Sequence, residues 1–428
     1  MPHSTLLASD ALNARVADEG WVAIPEGSTG SELPFADPGS PDAVVVRRPD
    51  GQLFLVQGEE SIPLDGRWRS VWTEEGQGRW YRTNRHADGT LVVVRSGMWR
   101  TRFVGQVADV ERARASEGYF GPFLGDGMGA LYRSGVFGKR IGDGGTGEAE
   151  DILLDAAEIV IRTMWGPFEN APLGELAVYY APVADDIGHE LVGLLDAQDP
   201  DIQSVAWDVI RRAYRLLDDG LAHIIERNSP DVVIISADHG MAPIRHTFLP
   251  NVVLRDAGFA RSDAAGEADP NASDVWYHVA GTGLLLANHR GLSGGWLDEA
   301  EARTALGAAM RILLGAVDER GVPAVHSFAD AHGNSVSPAD PPRDEVYVVF
   351  RSDVLPRADL PEASSAWGAP LRSGAHVTND GDPRLRATYT VSTIGRHERS
   401  MEHHIENTDI VGIVYEYLRE EAAWSGSL

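Results

Sequence analysis

The chain has 428 residues, enough to bury one large α/β domain with a smaller one appended. Lys and Arg number 37 against 64 Asp and Glu, and the resulting charge of −27 repels nucleic-acid polymers and anionic membranes. With no cysteine at all, disulfides and thiolate zinc sites are excluded, so any zinc must be held by His and Asp.

The N-terminal stretch MPHSTLLASDALNARVADEG is acidic and amphipathic, with no basic region leading into an apolar one, so it is not a secretory signal. No window approaches the roughly 18 consecutive apolar residues of a membrane span. As it stands the chain reads as cytoplasmic, and its true compartment stays open. The segment then passes through Pro/Gly/Ser-rich loop text into a strand pattern from Ala43 to about Val104. There AVVVRRPDGQLFLVQ carries a Pro-Asp-Gly turn between two alternating runs, a hairpin signature. Strand-like runs follow at Trp68–Trp72, Trp80–Thr83 and Thr90–Arg95, in aromatic text that suits a small antiparallel sheet. We therefore expect a β-rich region over 1–105. Its basic and aromatic residues read as core plus solvated arginines rather than a nucleic-acid platform, given the overall charge.

Residues 106–147 are Gly-rich and loop-like. A helix is expected from Glu148 to Trp165, with Ile152, Ala156, Ile159, Val160 and Thr163 at helical spacing and Thr146 as its cap. An apolar run Leu176–Tyr180 reads as a strand, 201–227 as a long amphipathic helix, and 231–236 as a buried parallel strand. Beyond it come helix 248–257, an exposed polar stretch, strand Gly283–Asn288, helix 298–315, strands Glu345–Phe350 and Ala387–Ser392, and a closing helix Asp409–Glu420. This alternation predicts an α/β domain over 106–428, with a mostly parallel sheet flanked by helices.

Three clusters carry the chemistry. Strand 231–236 ends in Asp238-His239-Gly240-Met241, and the run at 176–180 leads to Asp185 and His189, four apart and so on one helix face. His376 sits in a late Gly/Asn/Asp-rich loop. Taken singly, each His reads as a surface or core residue. Together, however, parallel strands would bring both Asp-His pairs to one sheet edge, where a carboxylate beside an imidazole can hold a divalent metal. His246 and His332 lie in loops that could approach a ligand, whereas His403-His404 read as surface.

The order Asp-x-x-Gly-His, Asp-His-Gly-Met, then a late loop His resembles the alkaline phosphatase superfamily, specifically its type I phosphodiesterase and nucleotide pyrophosphatase branch. DHGMAPIRHTFLPNVVLRDAGF looks like that branch's metal motif followed by its Pro-Asn-x-x-Leu-Arg-x-Ala-Gly helix, IENTDIVGIVYEYL like its terminal helix, and IPLDGRW like a phrase of its β-rich insertion. The resemblance implies a two-zinc centre, with Mn²⁺ able to substitute. Asp185, His189 and His376 would hold one ion, and Asp238 with His239 part of the other. It further implies a small phosphate-ester or nucleotide substrate, whose approach to an acidic chain bound dications would favour. The Asp-His-Gly-Met-x-Pro phrase disfavours the related mutases, and the absence of Cys disfavours sulfatases.

The resembled enzymes take a further Asp and a Thr or Ser nucleophile from an apolar strand ending in Asp-Gly and the helix after it. The first 100 residues contain no such strand, and Ser28-Thr29 and Thr146 are only weak stand-ins. The expectation is therefore a C-terminal portion of a family member, truncated, split or degenerate. Truncation or splitting is favoured because both ligand clusters are intact, with a separate chain as one source of the nucleophile. The alternative is a non-catalytic or partner-dependent subunit that binds metal or phosphate esters.

Overall fold

The computed structural model describes residues 20–24, 43–47, 52–57, 59–72, 77–86, 89–96, 99–100, 128–165, 176–279, 283–362, 365–378, 380–393 and 405–425. It is a mixed α/β protein with seven α-helices among the described residues. Two compact units emerge, one of Met1–Ile187, Ala197–Ile234 and Val391–Leu428, the other of Gly188–Asp196 and Ile235–Thr390.

In the first unit the hairpin forms as its alternation predicts. Ala43–Arg47 pairs antiparallel with Leu53–Gln57, which pairs in turn with Glu60–Pro63; the Pro-Asp-Gly turn lies outside the described residues. A second antiparallel sheet runs in the order Gly20–Ile24, Leu91–Arg95, Gln77–Arg85, Arg69–Trp72. Leu53, Leu55, Leu64, Val71, Tyr81 and Val93 form a shared core, and Leu53 and Leu55 show the alternation of their strand, whereas Val92, Val93, Val94 and Arg95 are buried in succession. The helix Glu148–Trp165 has its predicted bounds, and its buried residues include Ile152, Ala156, Ile159, Val160 and Thr163. Its cap is Gly147 rather than Thr146: Asp151 N donates to Gly147 O, the bond a cap carbonyl accepts. The long helix runs Pro200–Asn228, started by Asp199, whose side chain accepts from Asp201 N, with Pro200 in the first turn. Arg212 joins the two helices through Asp151 at 2.6 Å, and Arg82 ties the β-rich strands to Asp155 at 2.8 Å.

The second unit is built on a four-stranded antiparallel sheet in the order Val275–His278, Leu284–Ala287, Glu345–Phe350, Val325–Ala329. Helix Glu299–Leu314 packs on it through Ala302, Leu306, Ala309, Met310 and Leu313, all fully buried with Val275, Tyr277, Leu285, Val346, Val348 and Phe350. A capping box starts this helix, with Asp298 and Glu301 each accepting from the other's backbone N–H. The Pro-Asn motif opens helix Pro250–Asp256 with Pro250 at its start. Asn251 is fully buried and does structural work: its amide donates to the carbonyls of Tyr277 and Ala358, and its Oδ1 accepts from Tyr277 N at 2.7 Å.

The expected large parallel sheet is not what forms. The sheets are small and mostly antiparallel, with a parallel pairing between His246–Phe248 and Val354–Pro356. Residues 176–180 form no strand; Leu176, Val178 and Tyr180 are 55%, 76% and 58% exposed, whereas a central parallel strand is covered on both faces. Val232–Ser236 does form, pairing with Tyr389–Thr393, but its residues are only half-buried or exposed. The polar stretch after residue 257 conceals the strand Val275–His278, whose Trp276 and Tyr277 are buried.

Candidate metal centre

Asp185 and His189 both lie on helix Val183–Leu191, one turn apart as their spacing requires. His376 follows the short strand Gly374–Ala375, which pairs antiparallel with Ala242–Pro243, just past Asp238-His239. Each of Asp185, His189 and His376 offers one ligand atom, and these atoms all lie within 4.8 Å of one another. All three are half-buried, accessible yet held. Asp238 and His239 are not in that group. His239 nevertheless stacks on His376, with ring centroids 3.5 Å apart and planes 10° from parallel.

Backbone groups fix which ring atoms face the ligand position. His189 Nδ1 is 2.8 Å from Gly374 O. A carbonyl only accepts, so Nδ1 carries the proton and Nε2 keeps its lone pair, the form a metal ligand needs. His239 Nδ1 is likewise 3.1 Å from Gly240 O, and its Nε2 lies 3.4 Å from Asp238 Oδ2. Asp238 is exposed and receives the His239 N–H at 3.1 Å.

The motif glycines have a packing reason. A Cβ on Gly374 would fall 2.6 Å from Gly188 O and 3.1 Å from Met241 Cγ, so only glycine lets this strand lie against the helix that carries His189. A Cβ on Gly240 would come within 2.0 Å of Arg384 O. Ser373 N donates to His189 O at 2.9 Å, a third tie between the loop and the helix. Pattern reading missed these backbone ties; the Gly in Asp-x-x-Gly-His and in Asp-His-Gly-Met was the available signal.

The weak nucleophile stand-ins gain nothing. Thr146 is an exposed residue of the turn before its helix, and Ser28-Thr29 lie outside the described residues, as do His403-His404. His246 is mostly buried, 3.8 Å from Asp318 and edge-on to Trp367, while His332 lies in an exposed turn closed by Asp330. A cavity of about 570 Å³ is lined by residues between Gln52 and Leu91 and contains none of the candidate ligands.

A half-buried Asp and two His within reach of one ion define a candidate divalent-metal site in an α/β protein. The family model described as "Type I phosphodiesterase / nucleotide pyrophosphatase" matches residues 146–397, more than half of the chain. The chain belongs to that family, and with it to the alkaline phosphatase superfamily. No curated protein and no solved structure matches it.

Proposed function

We propose that this chain contributes the metal centre of a phosphoric-diester hydrolase of the phosphodiesterase and nucleotide pyrophosphatase type, with residues 106–428 as its catalytic part. The carrying observation is the convergence of Asp185, His189 and His376 within 4.8 Å. One carboxylate and two imidazoles make a hard-and-borderline donor set suited to Zn²⁺, with Mn²⁺ as substitute, and three protein ligands leave a position for substrate. Asp238 and His239 would hold a second ion beside it. Such a pair supplies Lewis-acid stabilisation of the attacking and leaving oxygens at phosphorus. The chain's own part is positional: Gly374 O keeps His189 in the tautomer that binds, and Gly240 O orients the His239 ring.

The nucleophile is proposed to come from a segment or chain outside the described residues. The hydroxyls flanking His376 are committed to backbone, since Ser373 Oγ accepts from Gly193 N at 3.1 Å and Thr378 Oγ1 donates to Phe350 O. The second reading, a binding subunit that turns over only with a nucleophile-bearing partner, follows from the same observation. Metal content and bis-p-nitrophenyl phosphate hydrolysis, measured with and without chelator, test both. Chelator-sensitive turnover by this chain alone eliminates the binding-only reading, and a chain that takes up no divalent metal overturns the proposal.

A further inference from the structure

Four arginines, Arg245, Arg320, Arg351 and Arg384, line a cavity of about 390 Å³ with Pro243, Ser352 and Asp353. Five nearby carboxylates, Asp196, Asp318, Asp353, Asp380 and Asp382, outnumber them, so the cavity is not basic by net charge. Its polarity comes from arrangement. The side chains of Asp318, Asp382 and Asp353 are 0%, 11% and 17% exposed, whereas those of Arg245, Arg320 and Arg384 are 57%, 46% and 49% exposed. These three acceptors lie beneath and the donors face outward, while Asp196, 50% exposed, stands beside Arg245 at 3.9 Å.

Each carboxylate is occupied as an anchor. Asp318 accepts from Arg320 Nη2 at 2.8 Å, Arg351 Nη2 at 3.0 Å and the backbone N–H groups of Arg320 and Val322. Its burial works to raise its pKa, but these donors together hold it well below the ordinary carboxylate range. Asp382 accepts from Arg384 Nη2 at 2.6 Å and from Ser352 Oγ at 2.8 Å. Arg351 is spent on Asp318, Asp353 and Pro323 O. Spare donors remain on the exposed arginines. Among the described residues, Nη1 of Arg320 and of Arg384 donate to nothing. Among the same residues the Arg245 guanidinium makes no hydrogen bond, and Asp196 lies 3.9 Å from it. Arg320 and Arg384 are thus held in fixed orientation with free edges, and Arg245 is uncommitted beside them; planar guanidiniums so placed match a tetrahedral oxyanion well.

The cavity adjoins the metal centre through backbone. Pro243, on its wall, pairs with Gly374, whose carbonyl holds His189; Gly240, next to His239, donates its N–H to Leu385 O, one residue past Arg384. We propose that Arg245, Arg320 and Arg384 form a subsite for a phosphate-type anion, namely the second phosphoryl group of a diphosphate ester whose scissile phosphorus lies at the metal centre. This assignment rests on the hydrolase reading; anion binding by the arginines does not.

The test therefore has two arms. In chelator-treated protein, inorganic pyrophosphate is titrated by calorimetry at fixed ionic strength, comparing wild type with Arg245→Gln, Arg384→Gln and, as a charge control, Arg303→Gln on the exposed helix surface. Arg245→Gln breaks no hydrogen bond, so loss of binding there is not loss of fold. The expected result is at least a tenfold weakening in the first two variants and none in the control; equal affinity in all four proteins overturns the subsite. In metal-loaded protein, supplied with its nucleophile-bearing partner if it needs one, kcat/KM is compared for the p-nitrophenyl ester of a nucleoside diphosphate and for bis-p-nitrophenyl phosphate, which has one phosphorus. Arg245→Gln should lower the first about tenfold and spare the second. Equal effects on both, or weakened pyrophosphate binding with no change in either rate, overturn the second-phosphoryl assignment. Absent metal uptake defeats the hydrolase reading and leaves the calorimetric result standing.

Discussion

His239 and His376 stack face to face, their centroids 3.5 Å apart and their planes 10° from parallel, although 137 positions separate them in the sequence. His376 also lies 5.1 Å from the His189 ring, so it bridges the two Asp-His clusters. Truncating it should remove one metal and leave the fold. His376→Ala is expected to bind one equivalent less by elemental analysis after dialysis, with an unchanged far-ultraviolet circular dichroism spectrum. Retention of the full metal complement would contradict the ligand assignment.

The close approach at Gly374 gives a sharper geometric test. Gly374→Ala drives a Cβ to 2.6 Å from Gly188 O, and the strand must move off the helix or the helix must shift. Overpacking of this kind costs about 1–3 kcal/mol, and here it also pulls the Gly374 carbonyl from His189. Weaker metal binding should accompany the loss of stability. Gly368→Ala, which meets nothing within 4 Å, is the control and should stay within about 0.5 kcal/mol of wild type in urea denaturation.

Asn251 explains why a Pro-Asn phrase follows the metal motif. Its side chain satisfies both backbone groups of Tyr277 and reaches Ala358 O at 2.7 Å, all in a buried place. Asn251→Ala leaves a buried N–H and two carbonyls without these partners, so we expect about 3 kcal/mol of destabilisation. Metal stoichiometry should be unaffected at temperatures where the variant is folded. A denaturation midpoint equal to that of wild type would refute this role.

What could be read in the sequence followed from what each feature demands. Ligands require given residue types at given spacing, so Asp185 with His189 was legible, as was helix Glu148–Trp165 from its buried stripe. Strand direction is a tertiary property and was not: Leu176–Tyr180 has the composition of a buried strand, yet apolar content does not specify neighbours, and Leu176, Val178 and Tyr180 are exposed. Val275–His278 was missed because its four residues follow directly on a long polar stretch. The stacking of His239 on His376 and the grouping of four arginines around one cavity join residues far apart in the chain, with no local pattern to announce them.

Asp382 offers a prediction on acid behaviour. The Arg384 guanidinium beside it, with the Arg384 N–H and the Ser352 hydroxyl, holds its carboxyl well below the ordinary value of 3.8, against a smaller opposing effect of burial. Because the folded value is the lower one, the folded state binds fewer protons here than the unfolded state at pH values between the two. The stabilisation is complete above about pH 5 and is lost as pH falls below the unfolded value through the folded one. Asp382→Asn removes the charge while keeping one acceptor, and should cost about 1–2 kcal/mol at pH 7. The gap between wild type and variant should narrow below about pH 4 and close in stronger acid. Denaturation midpoints for both proteins from pH 7 down to pH 2 measure this directly, and a gap that stayed constant or widened on acidification would mean that Asp382 is not held ionised by Arg384.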